Sequence, residues 1–276
     1  MTYHARLDRR TFIKGAIAAS AAVLGAGLLP GDALAQTADS IKKKGKVVIG
    51  IQGDNPPWGF VTSQGEQDGF DADVGHLFGQ FVGVPVEFFP TAVANRIPVL
   101  VTGRVDILFA TMGMYPDRAK AIQFSKPYAA NDVVLVAPVS AVVKTPADLA
   151  NRTIGVAWAS AQDTAVTKAA PASATIRRFD DAATIQAMLS GQVEMVGANQ
   201  FYPIRLNQSK PGMFGRKLDF LRQHNGAGTR LGEKEWNATA NAFTDKIKSN
   251  GELEKIYQKW MGFGVPSFPD SMDGVA

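Results

Sequence analysis

Cysteine is absent from all 276 residues. That removes a disulfide framework, a thiolate nucleophile, a Cys-ligated zinc and a lipid-modified N-terminal cysteine. Histidine is scarce, with three in the chain. His76 and His224 lie far apart and neither has a ligand-spaced neighbour, so no metal and no cofactor are expected. A Ser–His–Asp triad could draw on either, but no motif positions one. There is no G-x-x-x-x-G-K-[ST] phosphate loop, no G-x-G-x-x-G between a strand and a helix, and no G-x-S-x-G elbow. An enzyme is not expected. Neither sign of charge dominates, with 29 Lys+Arg against 25 Asp+Glu. Nucleic acid and anionic membrane surfaces are therefore not the expected partners. Lys42, Lys43, Lys44 and Lys46 cluster, and a run of that kind ahead of a strand reads as a solvated leader.

What is present is an ordinary globular composition, 46% hydrophobic and 20% charged, behind a distinct N-terminal segment. Arg6, Arg9, Arg10 and Lys14 precede an uncharged run over 15–31, and Ala33-Leu34-Ala35 supplies the small residues of a cleavage site. This is the pattern of an export signal cleaved after Ala35. The apolar run falls short of the ~20 residues that span a bilayer, which argues against a permanent anchor. Asp8-Arg9-Arg10-Thr11-Phe12-Ile13-Lys14 resembles the twin-arginine motif, with an ordinary secretory signal as the alternative. Its removal takes away four basic and two acidic groups and leaves a charge of +2.

The remaining chain alternates strands and helices. The apolar run over 46–52 reads as a buried strand. Phe70, Val74, Leu77, Phe78, Phe81 and Val82 recur at helical spacing and stop at Gly83. A strand over 84–89, a short helix over 96–102 and a strand over 105–109 complete a βαβαβ order, which points to an α/β fold with a mostly parallel sheet. The pattern restarts with extended segments at 131–137 and 152–157. Helices near 162–168 and 182–189 and strands at 175–178 and 193–196 follow. A local echo supports two related lobes: Leu100-x-x-Gly103-x-Val105-Asp106 parallels Leu189-x-Gly191-x-Val193-Glu194. An extended piece at 226–230 and helices around 236–247 and 253–260 close the chain.

Several strings, in one order, resemble the extracytoplasmic solute-binding proteins of family 3, which deliver polar amino acids to ABC importers. They are Asn55-Pro56-Pro57-Trp58, Gly69-Phe70-Asp71-Ala72-Asp73, Asn95-Arg96-Ile97-Pro98-x-Leu100, Gly103-Arg104-Val105-Asp106, Pro116-Asp117-Arg118, Phe124-Ser125-Lys126-Pro127-Tyr128 and Lys259-Trp260-Met261-Gly262. The resemblance implies a two-lobed periplasmic-binding-protein fold (type II) with a ligand cleft between the lobes that closes by a hinge. Lobe 1 would comprise 36–135 and 223–264, lobe 2 would comprise 136–222, and 265–276 would form a loose tail. It also implies a periplasmic monomer that captures a small solute and presents it to a membrane permease served by a separate ATPase. A cyclohexadienyl-dehydratase-like enzyme and a sensing module acting in trans are the alternatives on the same fold.

The same resemblance assigns a site. Arg118 stands where the family's carboxylate-binding arginine stands, and its planar fork can give two parallel bonds. Ala110, Thr111 and Gly113 form the turn before it, with Gly113 in place of the usual hydroxyl residue. Ser160 and Ala161 replace a Thr-rich loop, and Gln52 and Asn55 stand where an aspartate and an aromatic residue are common. The aspartate that pairs with an α-ammonium is here Asn199, a neutral acceptor of about half the strength. The ligand is thus expected to be an amino acid or related small carboxylate, and Asn199 points to one with a weak or absent ammonium. Glu194, Asp54 or backbone carbonyls are the other acceptors available to an ammonium. Trp58 and Trp158 are candidate aromatic walls, one from each lobe, with core or rim packing as their other reading.

Overall fold

The computed structural model describes residues 35–269 and 272–275. Residues 1–34, and with them the export-signal reading, lie outside the described residues. In chain order the helices are α1 (Ala38–Lys44), α2 (Phe70–Val82), α3 (Arg96–Val101), α4 (Pro116–Ala119), α5 (Ala161–Ala169), α6 (Asp181–Leu189), α7 (Tyr202–Ser209), α8 (Lys234–Ser249) and α9 (Glu252–Met261). The strands are β1 (Val47–Gln52), β2 (Asp54–Asn55), β3 (Gly59–Val61), β4 (Gln67–Asp68), β5 (Val86–Thr91), β6 (Ile107–Leu108), β7 (Ile122–Pro138), β8 (Thr153–Ala157), β9 (Thr175–Phe179), β10 (Met195–Asn199) and β11 (Phe214–Arg230).

Eight strands form one sheet in the order β5-β1-β6-β11-β7-β10-β8-β9. Its flanks are parallel, β1 with β5 and β6 on one side and β8 with β9 and β10 on the other. Between them β7 and β11 run antiparallel from end to end. The two flanks with their helices are two α/β lobes, and this long ribbon joins them. Its register slips at several places, including Asn225/Gly226 and Gly226/Gly228. Such bulges raise local twist and let one ribbon serve two differently oriented half-sheets.

Every residue of β1 is buried, as a parallel strand covered on both faces requires. Val47 and Ile49 pack with Phe70, Val74 and Phe78 of α2 and with Trp236, Phe243 and Tyr257 of α8 and α9. Val48 faces the other way, toward Val99, Leu100, Val105 and Leu108. The second lobe repeats the arrangement. Val134 and Val136 pack with Ile185, Met188, Tyr202 and Leu206, while Leu135 and Ala137 pack with Leu149, Ile154 and Val166. Chain return is explicit in α8, whose Trp236 indole N–H donates to the Asp106 carbonyl at 2.9 Å.

Four details differ from the sequence reading. The lysine run is mostly helix: Thr37 and Ser40 form a capping box for α1, and Lys44 pairs with Asp106 at 2.9 Å. Helix α7 was not expected, and the short extended pieces at 131–137 and 226–230 are ends of strands of 17 residues each. Beyond Gly264, where a loose tail is expected, the Val265 N–H donates to Glu254 and Phe268 packs against His224. No helix among the described residues is long and apolar enough to cross a membrane.

Candidate functional site

Where the two lobes face each other, a cavity is lined by residues from the carboxyl ends of strands and from helix starts. Lobe 1 contributes Gln52 at the end of β1, Asn55, Val93, Arg96 at the start of α3, and Thr111. Ser160, Ala161 and Gln162 come from the start of α5, Asp181 from α6 and Asn199 from the end of β10. The central ribbon supplies Asn131 and Gln223. Sites outside the carboxyl ends of strands are the rule for open α/β sheets. The cavity measures about 20 Å³, room for roughly one water.

It is small because the lobes touch. Asn199 Nδ2 donates to Asn55 Oδ1 at 3.0 Å, and the Ala182 N–H donates to Asp54 Oδ2 at 3.2 Å. Arg205 Nη2 reaches the Asp54 carbonyl at 3.0 Å, and Arg118 Nη2 reaches the Ala159 carbonyl at 3.0 Å. A solute larger than water enters only when these bonds open. Each bond crosses from one lobe to the other, so they all open together on a hinge motion.

Arg96 is the cavity's cation and is only 3% exposed. Its Nε donates to the Val93 carbonyl at 2.9 Å, and its Nη1 to the Ala110 and Thr111 carbonyls at 2.8 and 3.1 Å. Burial, with Arg118 nearby, brings its pKa down to about 9, so it stays protonated at neutral pH. Among the described residues neither Arg96 nor Arg118 has an ion-pair partner. A desolvated guanidinium held by neutral carbonyls attracts an anion strongly.

Asp181 is the cavity's carboxylate, 2% exposed and already engaged. Tyr202 Oη donates to Oδ1 at 2.6 Å, and Arg205 Nη1 to Oδ2 at 2.7 Å. Burial is the largest single influence on Arg205 and opposes its charge, but Asp181, Tyr202 and Asp54 together outweigh it and its pKa is raised. Asn199 is also occupied: its Oδ1 accepts the Phe201 N–H at 2.9 Å while Nδ2 serves Asn55. The rest of the lining is uncharged, and much of it is amide. Gln223 Nε2 donates to Asn131 Oδ1 at 3.2 Å, to the Thr111 carbonyl at 3.3 Å and to Asn225, and Asn55 Nδ2 donates to Gln52 Oε1 at 3.2 Å.

The loop over 110–115 is set by α2. Asp71 in its first turn accepts the Thr111 N–H at 2.8 Å, the Thr111 hydroxyl at 3.2 Å and the Tyr128 hydroxyl at 2.7 Å. These bonds hold Thr111 at a φ of 50°, a conformation that costs a β-branched residue energy and needs such support. Full burial pushes the Asp71 carboxyl up to about 6 despite its donors.

Of the residues expected from sequence, Gln52, Asn55, Thr111, Ser160, Ala161 and Asn199 meet in the cavity. Ala110, Gly113 and Arg118 do not line it. Ala110 acts through its carbonyl on Arg96, and Gly113 through its carbonyl on Arg118 at 3.0 Å. A Cβ at Gly113 would meet Gln223 at 2.5 Å and Tyr115 at 2.6 Å, so any larger residue there displaces those side chains. Arg118 lies over Tyr115, 5.2 Å from the ring centroid, at the edge where the lobes meet. Neither tryptophan walls the cavity, which corrects that expectation. Trp58 is wholly buried against Phe70 and Phe201, and Trp158 is 61% exposed. Glu194 is outside the lining as well, paired with Arg152 at 2.7 Å. Sequence reasoning missed Val93, Arg96, Asn131, Gln162, Asp181 and Gln223. Arg96 had a usable signal, a charged residue at the head of the apolar run Ile97-Pro98-Val99-Leu100. Asp181 reads as an ordinary helix-start acid beside Asp180.

A family model for bacterial extracellular solute-binding proteins, family 3, matches residues 47–263. Among curated proteins, the L-cystine-binding protein TcyJ of Escherichia coli (strain K12) is 22% identical over 231 residues, 82% of this chain and 86% of that protein. Among solved structures, a solute receptor for L-cysteine of Neisseria gonorrhoeae superposes with a TM-score of 0.77 at 26% identity, over 82% of this chain and 94% of that one. The ancestral amino acid-binding protein AncCDT-1, a precursor of cyclohexadienyl dehydratase, gives 0.74 at 28% identity, over 82% and 99%.

Proposed function

The chain belongs to the bacterial extracellular solute-binding proteins of family 3, and from that premise we propose that it is the solute receptor of an ABC importer. In this reading it captures a small carboxylate between its lobes and hands it to a membrane permease with a separate ATPase. The protein is exported, acts in the periplasm as a monomer, and begins at Gln36 once its twin-arginine signal is removed. Lobe 1 is formed by 36–135 and 223–264, and lobe 2 by 136–222.

The observation that carries the ligand class is Arg96, a buried cation facing the cavity with no carboxylate paired to it among the described residues. A ligand carboxylate supplies the missing charge, and closure strengthens the pair by excluding water. Arg118 completes the grip as the lobes meet. On the other side Asn199 and Asp181 are already bonded, so the site offers an α-ammonium little. Amino-acid relatives set one candidate class, and the amides set the other, the matched acids without an α-amino group.

The similarity to AncCDT-1 raises a dehydratase as the second reading. Dehydration needs a carboxylic acid to protonate the leaving hydroxyl, and the position that would supply it is Asn199, which cannot transfer a proton near neutral pH. The binding role is preferred on that ground.

A thermal-shift screen of the twenty amino acids beside their amino-free counterparts tests the proposal. At a hundred times its dissociation constant a ligand adds about 2.7 kcal/mol of stability. A carboxylate that raises the melting temperature is the expected result, with acids such as glutarate or 4-methylpentanoate ahead of L-glutamate or L-leucine. Response to no small carboxylate would remove the proposal.

A further inference from the structure

Asp181 is the only carboxylate among the described residues lining the cavity, and it belongs to a cation of the protein's own. A buried carboxylate facing a solute cavity is the natural partner of a ligand ammonium. Here Arg205 Nη1 holds it at 2.7 Å, and the Tyr202 hydroxyl holds its other oxygen at 2.6 Å. Tyr202 and Arg205 sit three residues apart on α7, and the guanidinium lies over the Tyr202 ring at 4.9 Å. The same guanidinium crosses the cleft to the Asp54 carbonyl at 3.0 Å and to Asn55 Oδ1 at 3.4 Å. It thus does what a bound cation would do, satisfying the acid of one lobe while bonding the other.

We propose that Arg205 is a specificity-determining residue, a built-in counter-cation that takes Asp181 away from ligand ammonium groups and leaves Arg96 to select amino-free carboxylates. This deepens the proposed function and rests on it. A zwitterion brings an ammonium that finds its carboxylate occupied and meets a guanidinium beside it. Two charges of one sign at that distance repel, and an ammonium stripped of water without a partner is costly. An amino-free acid of the same shape escapes both penalties. The neutral amides of Asn55, Asn199 and Gln223 impose neither.

The test measures affinities for two matched pairs, L-glutamate with glutarate and L-leucine with 4-methylpentanoate, in the purified protein and two variants. The wild-type protein is expected to prefer the amino-free member. Arg205→Met removes the charge and frees Asp181, and the ratio should swing at least about tenfold toward the amino acid. The double variant Arg205→Met/Asp181→Asn lacks the freed carboxylate, and its ratio should fall back by at least about threefold from that of Arg205→Met. The assignment is overturned if the wild type prefers the amino acids, or if Arg205→Met folds and leaves the ratio unchanged. It is equally overturned if the double variant keeps the whole swing of Arg205→Met. The wild-type preference keeps the assignment falsifiable even if Arg205→Met does not fold. Binding of no carboxylate by the wild type strikes the proposed function itself, whereas binding with an unmoved ratio strikes Arg205 alone.

Discussion

Two arginines divide the work that sequence alone would give to one. Arg96 lies in the cavity, held by three carbonyls, whereas Arg118 ties the Gly113 carbonyl of one lobe to the Ala159 carbonyl of the other. Arg118 therefore bonds both lobes at the edge where they meet. Replacing it with alanine removes these two exchangeable bonds, each worth about 1 kcal/mol net in water. Carboxylate affinity should fall by at least about tenfold in Arg118→Ala. The unliganded melting temperature should move by less than about 10 °C, at about 2–4 °C per kcal/mol in a chain of this size. Titration and a thermal melt check the two halves separately, and undiminished affinity would take Arg118 out of the account. Arg118 stood out in the sequence because a short motif, Pro116-Asp117-Arg118, carries it, but it lies outside the cavity lining. Arg96, Asn131 and Gln223 did not stand out, since their meaning depends on which way a buried polar side chain points once distant strands are paired.

At the scale of elements, the start of α2 governs the loop that shapes the site. Asp71 links α2, the Thr111 turn and Tyr128 of β7 in one buried cluster. Its carboxyl is raised by burial from 3.8 to about 6, so between those values the folded protein holds more of the proton than the unfolded chain does. Stability from this group is therefore greatest below that window and falls as pH rises through it. Asp71→Asn keeps an oxygen for the Thr111 N–H and removes the titration. Denaturant unfolding from pH 4 to 7 should show a shallower decline across that window in the variant than in the wild type. Identical slopes would mean that Asp71 titrates in the folded state as it does in the unfolded one. Helix α2 itself was readable, because its apolar stripe is regular and Gly83 ends it at a φ of 83°. The ribbon of β7 and β11 was not, because Pro127, the polar residues Asn131 and Asp132, and repeated bulges break the alternation that announces a strand. Helix α7 escaped for a related reason: only Tyr202 and Leu206 are buried, too few to mark a stripe.

For the whole molecule the sheet order explains how a site can open and close. Two lobes with separate cores share a single antiparallel ribbon, while across the cleft they meet through Asn199, Arg205, Ala182 and Arg118. Those contacts are a handful of exchangeable hydrogen bonds, each worth about 1 kcal/mol net in water. Opening is thus inexpensive, and a ligand that bonds both lobes shifts the balance by its preference for the closed form. The central claim is that a small carboxylate is held in this cleft by Arg96. Calorimetric titration of glutarate and 4-methylpentanoate into the wild-type protein and an Arg96→Met variant tests it most directly. One site per chain is expected in the wild type for at least one of the two acids, with affinity reduced at least about a hundredfold in the variant. Equal affinity in both proteins would contradict the account and place the ligand elsewhere.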